Sequence, residues 1–301
     1  MSGVTDLSFR LISREFGAKL CFFEMLDSKS ILYKRPKSFT MLKTTKQDSP
    51  IAAQLLGNDP LLMLDAAEKV LNTVKKISFL DINSACPARK VIRKGAGAAL
   101  LKEPEKIGAI IKKLSSNLKV PITIKLRTGF YKKCVEECVK TAKIAQENGA
   151  SKIFIHGRTM SQGYSGEIDY ESIKAVKNAL KIPVFASGNI FSPQMAKQMI
   201  DETNCDGILA ARGALGNPWI FCKEPTMPSL AEKIKTLKKH LSYIEKYSEL
   251  AKPHKIGFMG KVMMWYLKGI PCATRAREEI CKAKSYQELL NLLQNIIDSQ
   301  D

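Results

Sequence analysis

The most constraining feature of this chain is an alternation repeated along its first 211 residues. Short apolar, β-branched runs occupy 19–25, 51–56, 79–84, 121–126, 152–156, 183–187 and 207–211. Amphipathic stretches lie among them at 60–76, 104–117, 134–148, 168–180 and 193–203, with apolar residues at helical spacing. Such alternation implies parallel βα units, because parallel neighbours need a crossover long enough to hold a helix. Seven strands are one short of the eight that close a (β/α)8 TIM barrel. Residues 1–6 read as a loop leaving a strand, with a helix starting near Leu7. The expectation is therefore a TIM barrel whose first strand lies upstream of Met1. An open doubly wound sheet satisfies the same periodicity and stands as the alternative.

The pattern breaks near 223. Residues 223–229 carry two prolines and no periodicity, as a linker does. Beyond them, leucine and isoleucine stripes interleaved with lysines predict helices only. The expected layout is a barrel domain over 1–222 and a small all-α domain over 229–301.

Lys and Arg number 48 against 29 Asp and Glu, a formal net charge of +19. An excess of that size suits a polyanionic partner; a lysine-rich surface tuned for solubility is the plain alternative. The apolar share of 45% argues against wholesale disorder. None of the eight cysteines forms a C-x-x-C pair, so zinc ribbons and thioredoxin-like chemistry have no support and no metal is expected. No apolar leader and no run of bilayer length is present. These features predict a cytoplasmic protein with reduced thiols and no membrane association; a monomer is expected.

In a βα-barrel, chemistry sits where strands run out into the following loops. That rule selects Gln54, then Asn83 and Cys86, Lys125 and Arg127, His156 and Arg158, Gly188 and Asn189, and Arg212 with Gly213. The last two loops, Ser187-Gly188-Asn189 and Ala211-Arg212-Gly213, put a glycine where backbone N–H groups can approach a ligand. Loops after the final strands are the usual phosphate cradle of this fold, and a phosphorylated cofactor such as FMN fits. The same glycines could simply make tight turns. Lys125 and Gln54 would face the flavin ring, the lysine stabilising negative charge on it. A buried lysine paired with a carboxylate is the other account of Lys125, which is costly in Ile-Thr-Ile-Lys-Leu without a partner. His156 lies beside the phosphate loops. Cys86, before a proline on a strand-end loop, could serve as nucleophile, acid or base; the other cysteines read as apolar filler.

The segments MSGVTDLSFR (1–10), AAQLLG (52–57), DINSACPARKV (81–91), GAALL (97–101), TIKLRTG (123–129), FIHGRT (154–159), ASGNI (186–190) and ARGALGNPWIF (211–221) resemble, in order, the tRNA-dihydrouridine synthases, and most of all their bacterial B-type branch. The resemblance covers essentially the whole chain. It implies reduction of uridine to 5,6-dihydrouridine in tRNA, with hydride passing from reduced FMN to C6 of uracil and Cys86 protonating C5. NADPH (or NADH) would re-reduce the flavin. Asn83 and Lys90 would contact the target nucleotide and Arg158 would help hold it. Gln54, Lys125, His156, Ser187, Gly188, Asn189, Ala211 and Arg212 would bind FMN, with Met1 and Ser2 touching its ring. The charge of +19 would serve tRNA binding. Four positions depart from the family pattern: Ala85 stands for glycine, Met160 for a basic residue, Ser187 for asparagine and Gly260 for arginine. Met160 and Gly260 would remove positive charges directed at RNA. Two alternatives remain at this level: an FMN barrel acting on a free pyrimidine metabolite, and an RNA-binding protein without catalysis.

Overall fold

The computed structural model describes residues 1, 3–224, 227–270 and 273–298. Residue contacts divide the chain into two units. One comprises 1–6 and 19–211; the other comprises 7–18 and 212–301.

The first unit is built on one all-parallel sheet: β1 (Cys21–Phe22), β2 (Leu26–Asp27), β3 (Ile51–Leu56), β4 (Ile77–Asn83), β5 (Ile122–Arg127), β6 (Ala150–His156), β7 (Val184–Ser187) and β8 (Gly207–Leu209). Its order is strictly sequential from β1 to β8, with β2 pairing β3 beside β1. A doubly wound sheet reverses direction at a switch point; this one never does, which overturns that alternative. The arrangement is TIM-barrel-like, with seven successive strand positions. Among the described residues the two edges, β1/β2 and β8, are not hydrogen-bonded to each other.

The expected strand 19–25 is two short pieces, because the chain turns aside between them. Phe23 N still donates to Ala52 O at 2.9 Å, but the carboxylate of the next residue, Glu24, accepts from Gly3 N. The expected 207–211 ends earlier, at Leu209.

Helices fill the crossovers: α2 (Ser28–Leu32), α3 (Pro36–Thr40), α4 (Pro60–Thr73), α5 (Arg89–Ile92), α6 (Pro104–Asn117), α7 (Val135–Glu147), α8 (Tyr170–Ala179) and α9 (Pro193–Thr203), while α1 (Leu7–Glu15) belongs to the second unit. Local chemistry sets their ends. Asp59 caps α4 by accepting from Leu61 N and Leu62 N, and Pro60 follows it at the first helical position. Ser192 caps α9, which stops at Asn204 in the left-handed conformation.

Strand residues alternate between two faces. Ala53, Leu55, Leu80, Ile82, Ile124, Leu126, Ile153, Ile155 and Ala186 are fully buried on the face opposite the polar side chains described below. Each buried leucine or isoleucine contributes about 2 kcal/mol. On the other face, Ala52, Phe79 and Phe154 form a cluster with Phe22, Phe185 and Leu209. Phe154 sits 5.4 Å from Phe22, 5.8 Å from Phe79 and 5.2 Å from Phe185 between ring centroids. These aromatic rings close the interior toward the strands' N-terminal ends.

The second unit is helical. It contains α1, 3-10 turns at Arg212–Ala214 and Pro218–Phe221, α10 (Leu230–Tyr247), α11 (Lys252–Tyr266), α12 (Ala273–Lys282) and α13 (Tyr286–Asp298). A reciprocal capping box between Ser229 and Glu232 starts α10. Trp219, Leu237, Leu241, Ile244, Met259, Val262, Met263, Leu289 and Leu293 form its core. Phe16 meets Trp219 edge-on at 5.1 Å, and Glu15 pairs with Lys239 at 2.6 Å. Gly216 has φ +64° and lies against the backbone of Trp265, where a Cβ has no room. The second glycine of ARGALGNPWIF therefore serves helix packing. Gly260 is buried as well: a Cβ there would lie 3.0 Å from Ile280 Cγ2. The absence of a side chain at Gly260 lets α11 approach α12 closely.

Candidate active site

On four strands the inward residue nearer the N-terminal end is apolar or aromatic, and the one two positions on is polar: Ala52 then Gln54, Phe79 then Asp81, Phe154 then His156, Phe185 then Ser187. On β5 the inward residues Thr123, Lys125 and Arg127 are all polar. Strand register puts these side chains next to one another, pairing Gln54 with Asp81, Asp81 with Thr123, Asn83 with Lys125, Arg127 with His156, and His156 with Ser187. The sheet thus carries a polar layer at its C-terminal edge above an aromatic floor.

At the centre of that layer is Asp81, fully buried. Its Oδ1 accepts from Thr123 Oγ1 and its Oδ2 from Gln54 Nε2, both at 2.6 Å. Burial pushes its carboxyl up to about 6; the bonds from Thr123 and Gln54 and the charge on Lys125 hold it from rising further. Gln54 Oε1 in turn accepts from Asn83 Nδ2 at 2.6 Å. Asn83 Oδ1 then accepts from the backbone N–H of Ala85 at 3.1 Å and of Cys86 at 2.9 Å. Asn83 is buried, so its amide holds the turn on which Cys86 rides.

Lys125 Nζ donates to Ser187 Oγ at 3.0 Å, and Ser187 Oγ donates to Ile155 O at 3.2 Å. Burial draws the ammonium down to about 8, opposed by the Asp81 carboxylate and reinforced by Arg127. Among the described residues this is the hydrogen bond Lys125 makes, and an ammonium carries three N–H donors in all. The carboxylate anticipated for Lys125 is Asp81, acting as a neighbouring charge.

Cys86 is half-buried. Its carbonyl accepts from Ala98 N at 3.1 Å, and Gly97, at φ +62°, packs so closely that a Cβ would lie 2.8 Å from that same oxygen. Arg127, buried, binds the loop from the other side. Its Nε donates to Ala85 O at 2.7 Å, and its Nη1 donates to Thr159 O at 2.7 Å and Gly163 O at 2.9 Å. Burial lowers its pKa from the usual arginine value, countered by Tyr164 and Cys86.

The remaining predicted residues are placed less centrally. Arg158 is buried, with Nε and Nη2 on Gly166 O at 3.1 and 2.6 Å. Lys90 is exposed on α5. Gly188 and Asn189 follow β7 with φ of +131° and +52°. The Met1 ammonium donates to Thr5 Oγ1 at 2.8 Å. Ala211 ends the first unit and Arg212 opens the second; Ser2 lies outside the described residues. Asp81, Thr123 and the tethering role of Arg127 had no assignment from sequence. Of the other cysteines, Cys21, Cys138 and Cys205 are buried, Cys134 and Cys222 half-buried and Cys281 exposed. Cys272 lies outside the described residues.

A sequence model of the family described as dihydrouridine synthase (Dus) matches residues 1–301. The chain belongs to the dihydrouridine synthase family. Among its relatives, the tRNA-dihydrouridine synthase B of Pasteurella multocida (strain Pm70) is 38% identical over 90% of this chain and 82% of its own length. That of Vibrio vulnificus (strain CMCP6) is 38% identical over 89% of this chain and 84% of its own. That of Xanthomonas axonopodis pv. citri (strain 306) is 34% identical over 99% and 91%. Membership makes the protein an oxidoreductase. Among the described residues no helix is long and apolar enough to cross a membrane, and no three His, Cys, Asp or Glu side chains cluster as a metal site would require.

Proposed function

We propose that this synthase reduces uridine to 5,6-dihydrouridine in tRNA, with FMN as resident cofactor and NADPH as reductant. The observation that carries the reading is the convergence, on one edge of the sheet, of the Lys125–Ser187 pair, the Gln54 amide and a tethered turn bearing Cys86. The donor set suits FMN. Lys125 has N–H groups to spare for the anionic edge of a reduced ring, Gln54 offers a second amide hydrogen, and the Gly188-Asn189 turn lies where a phosphate is commonly bound. His156, Ala211 and Arg212 join them on the family resemblance, as do Met1 and Ser2 at the ring. When bound, FMN supplies the hydride that uracil C6 receives.

The protein's own residues do the rest. Cys86 Sγ delivers the proton to C5. Arg127 and Asn83 hold the Cys86 turn from two sides, so the thiol meets the base from a fixed direction. Lys90, exposed beside that turn, contacts the target nucleotide. Asn83 and Arg158, both buried and bonded to loops, shape the space that receives it. The uridine must leave its stack to enter. The positive surface supplies phosphate attraction, with the helical unit as principal docking element; the division into a catalytic part over 1–222 and a tRNA-binding part over 229–301 follows.

The test is direct. Purified protein with FMN and NADPH is incubated with unmodified tRNA transcript, and the nucleosides are read by mass spectrometry. Dihydrouridine in the tRNA is the expected product. Reduction of free uracil or uridine with untouched tRNA would favour a metabolite-reducing barrel, and flavin-free protein that binds tRNA without product would favour a binding protein.

A further inference from the structure

The hydrogen bonds around Asp81 form a chain with a fixed direction. One end is the Asp81 carboxylate, whose two oxygens both accept, from Gln54 and from Thr123. The other end is the pair of backbone N–H groups of Ala85 and Cys86, able only to donate. Two primary amides, Gln54 and Asn83, lie between. Because both oxygens of Asp81 accept, Gln54 must turn its nitrogen toward it, which leaves its oxygen facing Asn83. Asn83 must then present its nitrogen to Gln54 and its oxygen to the turn. Starting from the N–H groups of the turn gives the same answer. An amide flip at either residue would place oxygen against oxygen and nitrogen against N–H, in a site where an unmet polar group is costly. Thr123 completes the end by donating to the second oxygen of Asp81 at 2.6 Å.

We propose that Asp81 is a positioning residue for uridine reduction: its carboxylate fixes the amide orientation of Gln54 and, through Asn83, the turn that carries Cys86. One buried charge thereby sets both sides of the site. It determines which atoms Gln54 offers the flavin ring, and it holds the proton donor in place. The inference rests on the reading of Gln54 and Cys86 given above, but the hydrogen-bond chain is testable without turnover.

Asp81→Asn keeps the shape and removes the direction, since an amide at this position can turn either end toward Gln54. Asp81→Asn combined with Gln54→Glu restores the direction. The new amide would donate to the new carboxylate, that carboxylate would accept from Asn83, and Thr123 would donate to the oxygen of the new amide. The readout is the alkylation rate of Cys86 in the flavin-loaded protein, followed by mass spectrometry of its peptide, with dihydrouridine formation measured in parallel.

Asp81→Asn should change the alkylation rate several-fold and lower dihydrouridine formation by about tenfold or more. The double variant should return the alkylation rate to within about twofold of the parent, without restoring turnover, because a carboxylate in place of the Gln54 amide cannot give the ring an N–H. Parent-like alkylation and turnover in Asp81→Asn would overturn the proposal, as would a double variant no closer to the parent than the single. If the parent makes no dihydrouridine, the functional reading fails, while the alkylation comparison still decides the role of Asp81. Should Asp81→Asn not accumulate as folded protein, Gln54→Leu breaks the chain between Asp81 and Asn83 and should change the alkylation rate in the same way; parent-like alkylation there would overturn the proposal.

Discussion

Arg127 Nε donates to the carbonyl of Ala85 at 2.7 Å, so the residue before Cys86 is tied to the end of the neighbouring strand. The same guanidinium holds Thr159 O and Gly163 O. One buried side chain therefore joins the loop after β4 to the loop after β6. Replacing it should loosen both. Arg127→Ala is expected to lower the stability of the barrel unit by about 3 kcal/mol, since three carbonyls lose donors. It should reduce dihydrouridine formation at least about tenfold. Arg127→Lys should not rescue, because an ammonium cannot span the three acceptors as the planar fork does. Parent-like turnover in the lysine variant would reject the tether.

Cys86→Ala tests the proposed proton donor directly. The side chain is half-buried, and the bond from its backbone N–H to Asn83 survives the substitution. Flavin content and tRNA affinity should be unchanged, while dihydrouridine formation falls about a hundredfold or more. An active alanine variant would remove Cys86 from the mechanism.

His240 makes the helical unit sensitive to acid. Its ring is buried against Phe9 and Tyr266, with Nδ1 3.3 Å from the tyrosine Oη, and burial draws its pKa down to about 3. Unfolded, the ring takes up a proton below about 6.5. The unfolded state therefore gains protons as pH falls from about 6.5 to 3, and folding loses about 2 kcal/mol by pH 5. Asp81 works in the opposite sense. Its folded pKa of about 6 lies above the usual carboxylate value, so the barrel is relieved of a buried charge as pH falls through that range. Comparing His240→Phe with the parent isolates the histidine: the parent's melting temperature should fall relative to the variant on acidification. Parallel curves would disprove the assignment.

Gly260 is a packing glycine. Gly260→Ala places a methyl 3.0 Å from Cγ2 of Ile280, the branch methyl of a side chain that is stiff at χ1, so the gain in helix propensity of about 1 kcal/mol is set against a tight contact and little net change in stability is expected. Gly260→Arg, far larger, should destabilise the helical unit without strengthening tRNA binding. Tighter binding by the arginine variant, measured by filter retention, would show that the position reaches RNA after all.

Arg277 is exposed on α12. Arg277→Glu should weaken tRNA binding and reduce the slope of log affinity against log salt by about one, while leaving NADPH oxidation unchanged. Equal loss of both activities would contradict the assignment of docking to the helical unit.

The barrel was legible because inward and outward residues alternate on every long strand and helices fill each crossover. Periodicity says nothing about α2, α3 and α5, each of five residues or fewer, where local caps and tertiary packing decide. The strand-end rule selected Gln54, Cys86 and Lys125 but passed over Asp81, although Asp81 sits two residues before the end of β4 just as Gln54 and Lys125 do in β3 and β5. The argument that singled out Lys125, a charge amid Ile-Thr-Ile-Lys-Leu, applies equally to the aspartate of Phe-Leu-Asp-Ile-Asn. Direction was beyond sequence altogether. Nothing in the letters says that Arg158 turns onto Gly166 or that Gly260 faces Ile280, because both depend on neighbours brought together by folding.

The packing of α1 has a consequence for how the protein is made. Leu7–Glu15 leaves the ribosome well ahead of its partners: Phe16, Glu15 and Phe9 meet Trp219, Lys239 and His240, more than two hundred positions later. The helical bundle cannot be completed until the whole barrel unit has been synthesised between its parts, and its last step closes a very long loop. A fragment expressed from Arg212 onward would lack one of its own helices, so a stable excised bundle would need residues 7–18 supplied as a peptide or grafted onto its end.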